Sequence, residues 1–271
     1  MKLTHSYSGS GIGLGIARRL GEHGASVVLM GRREDFLKNA QESLRKEGIK
    51  CEYFAGDVRS EESAKAAVKF AVDKFGRLDT LVNSAAGNFL SLAEDLSTNA
   101  FKTVIDIDLI GTFNVTRQAF PALKASGNGV VINISATLHY TSTWYQTHAC
   151  AAKAGIDTLT KQLALEWGTF GIRVNGVAPG PIAETPGFTK LAGSDPTLKE
   201  RLPLGRAGTT AEIGDACVFL CSKAAAYISG HTMVVDGACW LWTPPTVPRE
   251  KVAEVSRKVE KTSRNVGGAK L

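Results

Sequence analysis

A chain of 271 residues, 44% hydrophobic and 21% charged, is long enough to bury a full core without disulfides or structural metals. Its net charge of +6 favours phosphate-bearing partners, yet the basic residues are dispersed outside the C-terminal tail and no nucleic-acid-binding motif accompanies them. No apolar run approaches the ~18 residues of a membrane span, no secretory h-region opens the chain, and the five cysteines lack CxxC or zinc spacing, which predicts reduced thiols and no metal site.

The glycine-rich stretch "SGSGIGLGIARRLGEHG" (8–24) comes first, with glycines at 9, 11 and 13 and a helix carrying Ile12, Ile16 and Leu20 on one face. Such glycines let main chain approach a pyrophosphate at a helix N-terminus. "ASVVLMG" (25–31) then reads as a strand, "EDFLKNAQESLRKEG" as a helix and "KCEYFAGDV" as a second strand. The helix predicted over 60–76 opens on Ser60 as cap, with Glu61 and Glu62 where the dipole favours acids. A buried strand "LDTLVNSAAG", a long helix over about 98–124, strand "GVVINISA", a helix over 144–168 and strand "IRVNGVAPG" follow. A glycine- and proline-punctuated segment (180–206), a helix over 209–222 and a last strand "HTMVVDGA" complete the series. Strands separated by helices predict a doubly wound parallel α/β sheet in a single domain over 1–242, with ligands outside the carboxyl ends of the strands. From Thr243 a proline linker, a basic amphipathic helix and a flexible end form a separate tail, 243–271.

Strand "ASVVLMG" ends in Gly31, Arg32 and Arg33, where an acidic residue would be expected for ribose hydroxyls. Guanidinium groups bind a 2′-phosphate by charge-assisted forks, so NADPH is favoured over NADH.

The GxGxG turn, "GDV" (56–58), "NSAAG" (83–87), "INIS" (132–135), Lys153 and "RVNGVAPGPI" (173–182) resemble the short-chain dehydrogenase/reductase family from about residue 8 to 242. Within it, "NSAAGNFL", "FKTVIDID", "ISATLHYTSTWYQTHA" and "LALEWG" are similar to the peroxisomal 2,4-dienoyl-CoA reductase branch, particularly its plant type. The resemblance implies a Rossmann fold, and cofactor contacts at Ser8, Gly9, Ser10, Gly11, Ile12, Gly13, Arg32, Arg33, Asp57, Val58, Asn83, Ala85, Lys153, Pro179, Gly180 and Ile182. It also implies acyl-CoA contacts at Arg59, Phe89, Ser97 and Asn99, and a homotetramer.

Most of the family uses asparagine, serine, tyrosine and lysine; the equivalents here are Asp108, Ala136, Ala149 and Lys153. The changed residues agree with the dienoyl-CoA reductase branch, which implies an altered enzyme. Hydride addition to the far end of a conjugated dienoyl thioester leaves a dienolate, which needs a proton at the α carbon rather than on an alkoxide. A water oriented by Asp108 suits that step, with Lys153 binding the nicotinamide ribose and lending positive charge. Tyr140 and Tyr145 are the alternative proton donors, and His148 reads as packing. The expected reaction is NADPH-dependent reduction to a 3-enoyl-CoA in peroxisomal β-oxidation of unsaturated fatty acids. Another enoyl-thioester or carbonyl reductase, or a non-catalytic cofactor-binding partner, is the alternative.

Two features lie at the ends. "MKLTHSYSGSGIG" offers about five residues for a strand, so the first strand is expected to be shortened. Ser6, Tyr7 and Ser8 stand where the family has threonine and two glycines. Terminal Ala269, Lys270 and Leu271 match the small-basic-leucine peroxisomal address, implying recognition by the import receptor and a matrix location without membrane association.

Overall fold

A computed structural model describes residues 3–6, 10–191 and 198–265. Strand β1 (Leu3–Ser6) is followed by α1 (Gly11–Glu22), β2 (Val27–Gly31), α2 (Glu34–Lys46), β3 (Cys51–Ala55), α3 (Glu61–Phe75) and β4 (Thr80–Asn83). Then come α4 (Thr98–Ile105), α5 (Gly111–Ser126), β5 (Val130–Ile134), α6 (Thr147–Trp167), β6 (Arg173–Pro179), α7 (Pro186–Leu191), α8 (Thr210–Cys221) and β7 (Thr232–Val235). Every pairing is parallel, in the order β1-β4-β5-β6-β7, with β2-β3 as a separate ladder beside β1. The first strand is short, as expected: a four-residue β1 pairs through Leu3–Thr80 to Ser6–Asn83 with β4, and among the described residues no ladder joins it to β2.

Helices cover both faces because alternate strand residues are apolar on both sides. Val82 and Ile132 pack with Ile16, Leu20, Leu37, Leu44, Ile213 and Leu220 on one face. Leu81 and Val131 pack with Val68, Val115, Leu123 and Leu163 on the other. Each such side chain contributes roughly 1.5–3 kcal/mol relative to exposure. Local signals set the helix ends. Ser60 Oγ accepts the Ser63 N–H at 3.1 Å, and Gly76 closes α3 in the left-handed region at φ 79°.

The long helix expected over 98–124 is interrupted. Between α4 and α5 the residues Asp106–Ile110 form one π-helical turn, closed by the Gly111 N–H on the Asp106 carbonyl. The Thr112 hydroxyl donates to the Asp108 carbonyl at 2.6 Å, satisfying an acceptor that the wide turn displaces. Gly111 is needed at this point, because a Cβ there would lie 2.5 Å from Val58 Cγ2.

The chain divides into two compact units, Met1–Trp240 and Leu241–Leu271. In the second, a short 3₁₀ turn (Arg249–Lys251) leads into α9 (Val252–Asn265), where Val252, Val255 and Val259 recur at helical spacing.

Candidate active site

The glycine turn, the ends of β2 and β4 and the loop into α7 surround a cleft of about 590 Å³. Ser10, Gly11, Ile12, Gly13, Arg32, Arg33, Asp57, Val58 and Ala85 line it. Gly11 has φ 64°, a conformation that suits glycine, and the first turn of α1 carries no acid, leaving its positive dipole end facing the cleft. Thr185, Pro186, Gly187 and Lys190 add a further wall. The last three carry no signal in the sequence, since their approach depends on how 180–191 folds back over the turn.

At the adenine end the charges are on the surface. Asp57 receives a fork from Arg59, with Nη2 at 2.5 Å and Nε at 3.0 Å from Oδ2. The Arg59 guanidinium holds the Asp57 carboxyl below the usual carboxylate range, helped by the Arg59 backbone N–H. Arg59 is thus engaged with Asp57 and not directed at an acyl-CoA phosphate in this state. Arg33 stacks over the Phe36 ring, 3.9 Å from its centroid, and Arg32 beside it is likewise exposed.

The reaction end is buried. Asp108, in the π turn, is 1% exposed, and its Oδ1 accepts the Gly87 N–H at 2.7 Å. Its Oδ2 lies 3.3 Å from Lys153 Nζ, which also donates to the Ile134 carbonyl at 3.0 Å. Burial pushes the Asp108 carboxyl above its ordinary range, although the Lys153 charge and the Gly87 amide oppose the shift. Gly155 lets α6 approach the π turn, because a Cβ there would lie 2.7 Å from Leu109 Cδ2. Ala149, four residues before Lys153, is 1% exposed, so no phenol occupies the proton-donor position.

The other expected residues have the following surroundings. The Tyr140 hydroxyl is 3.1 Å from Asp157 Oδ2, which also meets His139 Nε2 at 2.9 Å; burial and this carboxylate raise the phenol. Tyr145 is half-exposed, with φ 65°, and its carbonyl accepts from Ser91. Asn83 lies behind the cleft wall: its amide nitrogen donates to Thr116 Oγ1 and Asn133 Oδ1, both at 2.8 Å, and so braces the strand ends. Ile182 is 4% exposed in the core, and neither it nor Pro179 and Gly180 lines the cleft. Ser97 caps α4 by accepting the Ala100 N–H at 3.2 Å, Asn99 follows it in the first turn, and Phe89 stacks on His148. Ser8, Gly9 and Ala269–Leu271 lie outside the described residues.

The family described as enoyl-(acyl carrier protein) reductase matches residues 7–238. A peroxisomal 2,4-dienoyl-CoA reductase of Arabidopsis thaliana, named as (3E)-enoyl-CoA-producing, is 51% identical, covering 94% of this chain and 90% of its own. The chain belongs to the short-chain dehydrogenase/reductase family. A (3E)-enoyl-CoA-producing peroxisomal relative from Danio rerio is 42% identical over 92% of this chain and 89% of its own. Among solved structures, a variant of actinorhodin polyketide ketoreductase with NADPH superposes with a TM-score of 0.84 at 30% identity, covering 89% of this chain and 97% of that one.

Proposed function

We propose that this short-chain dehydrogenase/reductase is an NADPH-dependent 2,4-dienoyl-CoA reductase that forms 3-enoyl-CoA in the peroxisome. The observation that carries the reading is the buried Asp108–Lys153 pair beside an alanine at position 149. A carboxylate held by a lysine and a backbone N–H suits the delivery of a proton to carbon through water, whereas reduction of a ketone calls for an acid against an alkoxide. The relatives from Arabidopsis thaliana and Danio rerio carry the same activity in their names.

Residues that fit NADPH are present: the glycine turn and α1 dipole for the pyrophosphate, Arg32 and Arg33 for a 2′-phosphate, Asp57 for the adenine amino group and Lys153 for the nicotinamide ribose. Bound there, NADPH supplies the hydride. Asp108 orients the water that protonates the α carbon, and Lys153 keeps that carboxylate compensated in the low-dielectric interior. Arg59, Phe89, Ser97 and Asn99 remain proposed acyl-CoA contacts; for Arg59 this requires leaving Asp57. Ala269-Lys270-Leu271 is proposed as the import signal, and a homotetramer as the assembled form.

The test follows NADPH absorbance with 2,4-decadienoyl-CoA, a 2-enoyl-CoA and a saturated acyl-CoA. Consumption with the dienoyl substrate alone, lost in D108A with NADPH binding retained, supports the assignment. Full turnover by D108A overturns the role of Asp108, and equal consumption with the 2-enoyl-CoA favours a general enoyl-thioester reductase, as the family description allows.

A further inference from the structure

His148, in the first turn of α6, is fully buried, and neither ring nitrogen makes a hydrogen bond of normal geometry. Its one polar neighbour of consequence is the Phe89 backbone, so at least one ring nitrogen is left to face the site, more than a packing role needs. Phe89 covers it, ring on ring, with centroids 4.1 Å apart and planes 18° from parallel; Phe89 itself is 38% exposed. The Asp108 carboxyl is close enough to act on the imidazole electrostatically, and its Oδ2 has Lys153 Nζ at 3.3 Å but no hydrogen bond of normal geometry. Burial holds the imidazole below its ordinary range against the opposing influence of the Phe89 backbone and Asp108, so it is neutral at pH 7 with one N–H and one bare nitrogen.

A dienolate consumes a proton at each turnover, and Asp108 is closed to solvent. Tyr140 is committed to Asp157 and Ala149 carries no proton, so the carboxylate needs another route to bulk water. We propose that His148 is the proton inlet of this site, a relay between solvent at the Phe89 rim and the water held by Asp108. The inference rests on the dienoyl-CoA reductase reading. In each cycle hydride forms the new C–H bond at the far end of the diene, and the α carbon takes a proton from the Asp108 water. One imidazole nitrogen releases its proton to restore that water while the other takes one from solvent, and loss of that proton to solvent with reprotonation of the site-facing nitrogen through water resets the starting tautomer before the next cycle. His148 acts through Asp108 and is a positioning and relay residue.

His148→Phe keeps the ring stack and the volume but removes both nitrogens. It is expected to lower kcat by about 100-fold while KM for the dienoyl-CoA and Kd for NADPH stay within about 2-fold. The solvent deuterium isotope effect on kcat should rise, because proton supply becomes limiting. His148→Ala opens a cavity, and added imidazole should restore part of its turnover, which a packing role would not allow. In the unliganded protein, Asp108→Asn should move the titration of the His148 ring resonance to lower pH. Wild-type kcat in H148F, a folded H148A that imidazole does not rescue, or an unmoved His148 titration would each overturn the relay. Should H148F fail to bind NADPH, H148A with imidazole decides. A wild-type enzyme inactive on dienoyl-CoA overturns the functional reading itself, and the relay with it.

Discussion

The two ends of the cleft use charge in opposite ways. At the adenine end, Asp57, Arg59, Arg32 and Arg33 stand at the surface, where Asp57 and Arg59 satisfy each other and water screens the rest. At the reaction end, Asp108 and Lys153 are nearly sealed, with side-chain exposures of 1% and 8%. Exposed charge can select a cofactor at little cost to the fold. Buried charge is part of the fold, and removing one partner leaves the other uncompensated.

The sharpest way to break this contrast is Lys153→Met, which should destabilise the protein by about 3–5 kcal/mol and abolish turnover; denaturant melts and NADPH oxidation read both effects. A Lys153→Met variant as stable as wild type would mean that Asp108 is not charged there. Gly155→Ala pushes on Leu109 in the π turn and should cost roughly 1–3 kcal/mol with a measurable fall in kcat, whereas overpacking at a site remote from Asp108 would lower stability alone. At the other end, Arg32→Ala with Arg33→Ala should weaken NADPH by about 10–100-fold and NADH far less, with a melting temperature close to wild type.

The smallest effects are the most diagnostic, because the two carboxylates have opposite signs. Asp57 is depressed by Arg59, so its contribution is present above the ordinary carboxylate range and fades as pH falls through its lowered value. Asp108 is raised by burial, so between the ordinary value and its raised one the folded state binds more protons, and stability declines as pH climbs through that window. Melting temperature against pH should therefore lose the decline that begins above the ordinary carboxylate range in Asp108→Asn. In Arg59→Ala the acid-side gain should shrink by no more than ~1 kcal/mol, as befits an exposed pair.

Features set by neighbours along the chain were legible in the sequence. Ser60 as a cap, the glycine turn and the βα alternation need only local spacing, and each is where the pattern places it. What stayed hidden depended on partners far along the chain. Tyr140 reads as a spare phenol, and only the fold shows α6 bringing Asp157 to it; Asn83 reads as a cofactor contact, and only the fold shows Thr116 and Asn133 meeting its amide nitrogen. No periodicity distinguishes "VIDIDLIG" from ordinary helix, so the π turn was invisible. His148 reads as packing from its place beside the lysine, and its burial under Phe89 exists only in three dimensions.

The π turn also bears on how such a site is inherited. One surplus residue in a helix normally rotates everything beyond it by about 100°, which would scramble the packing of α5. A bulge confines that surplus to Asp106–Ile110, with Thr112 mending the loose carbonyl, so both flanks keep their partners. A lineage can then change which side chain the bulge presents, or shift it by a residue, without rebuilding the scaffold. Deleting a single residue between 106 and 110 would splice α4 and α5 into one unbroken helix, and it would test whether the chemistry here was acquired by an insertion rather than by substitution.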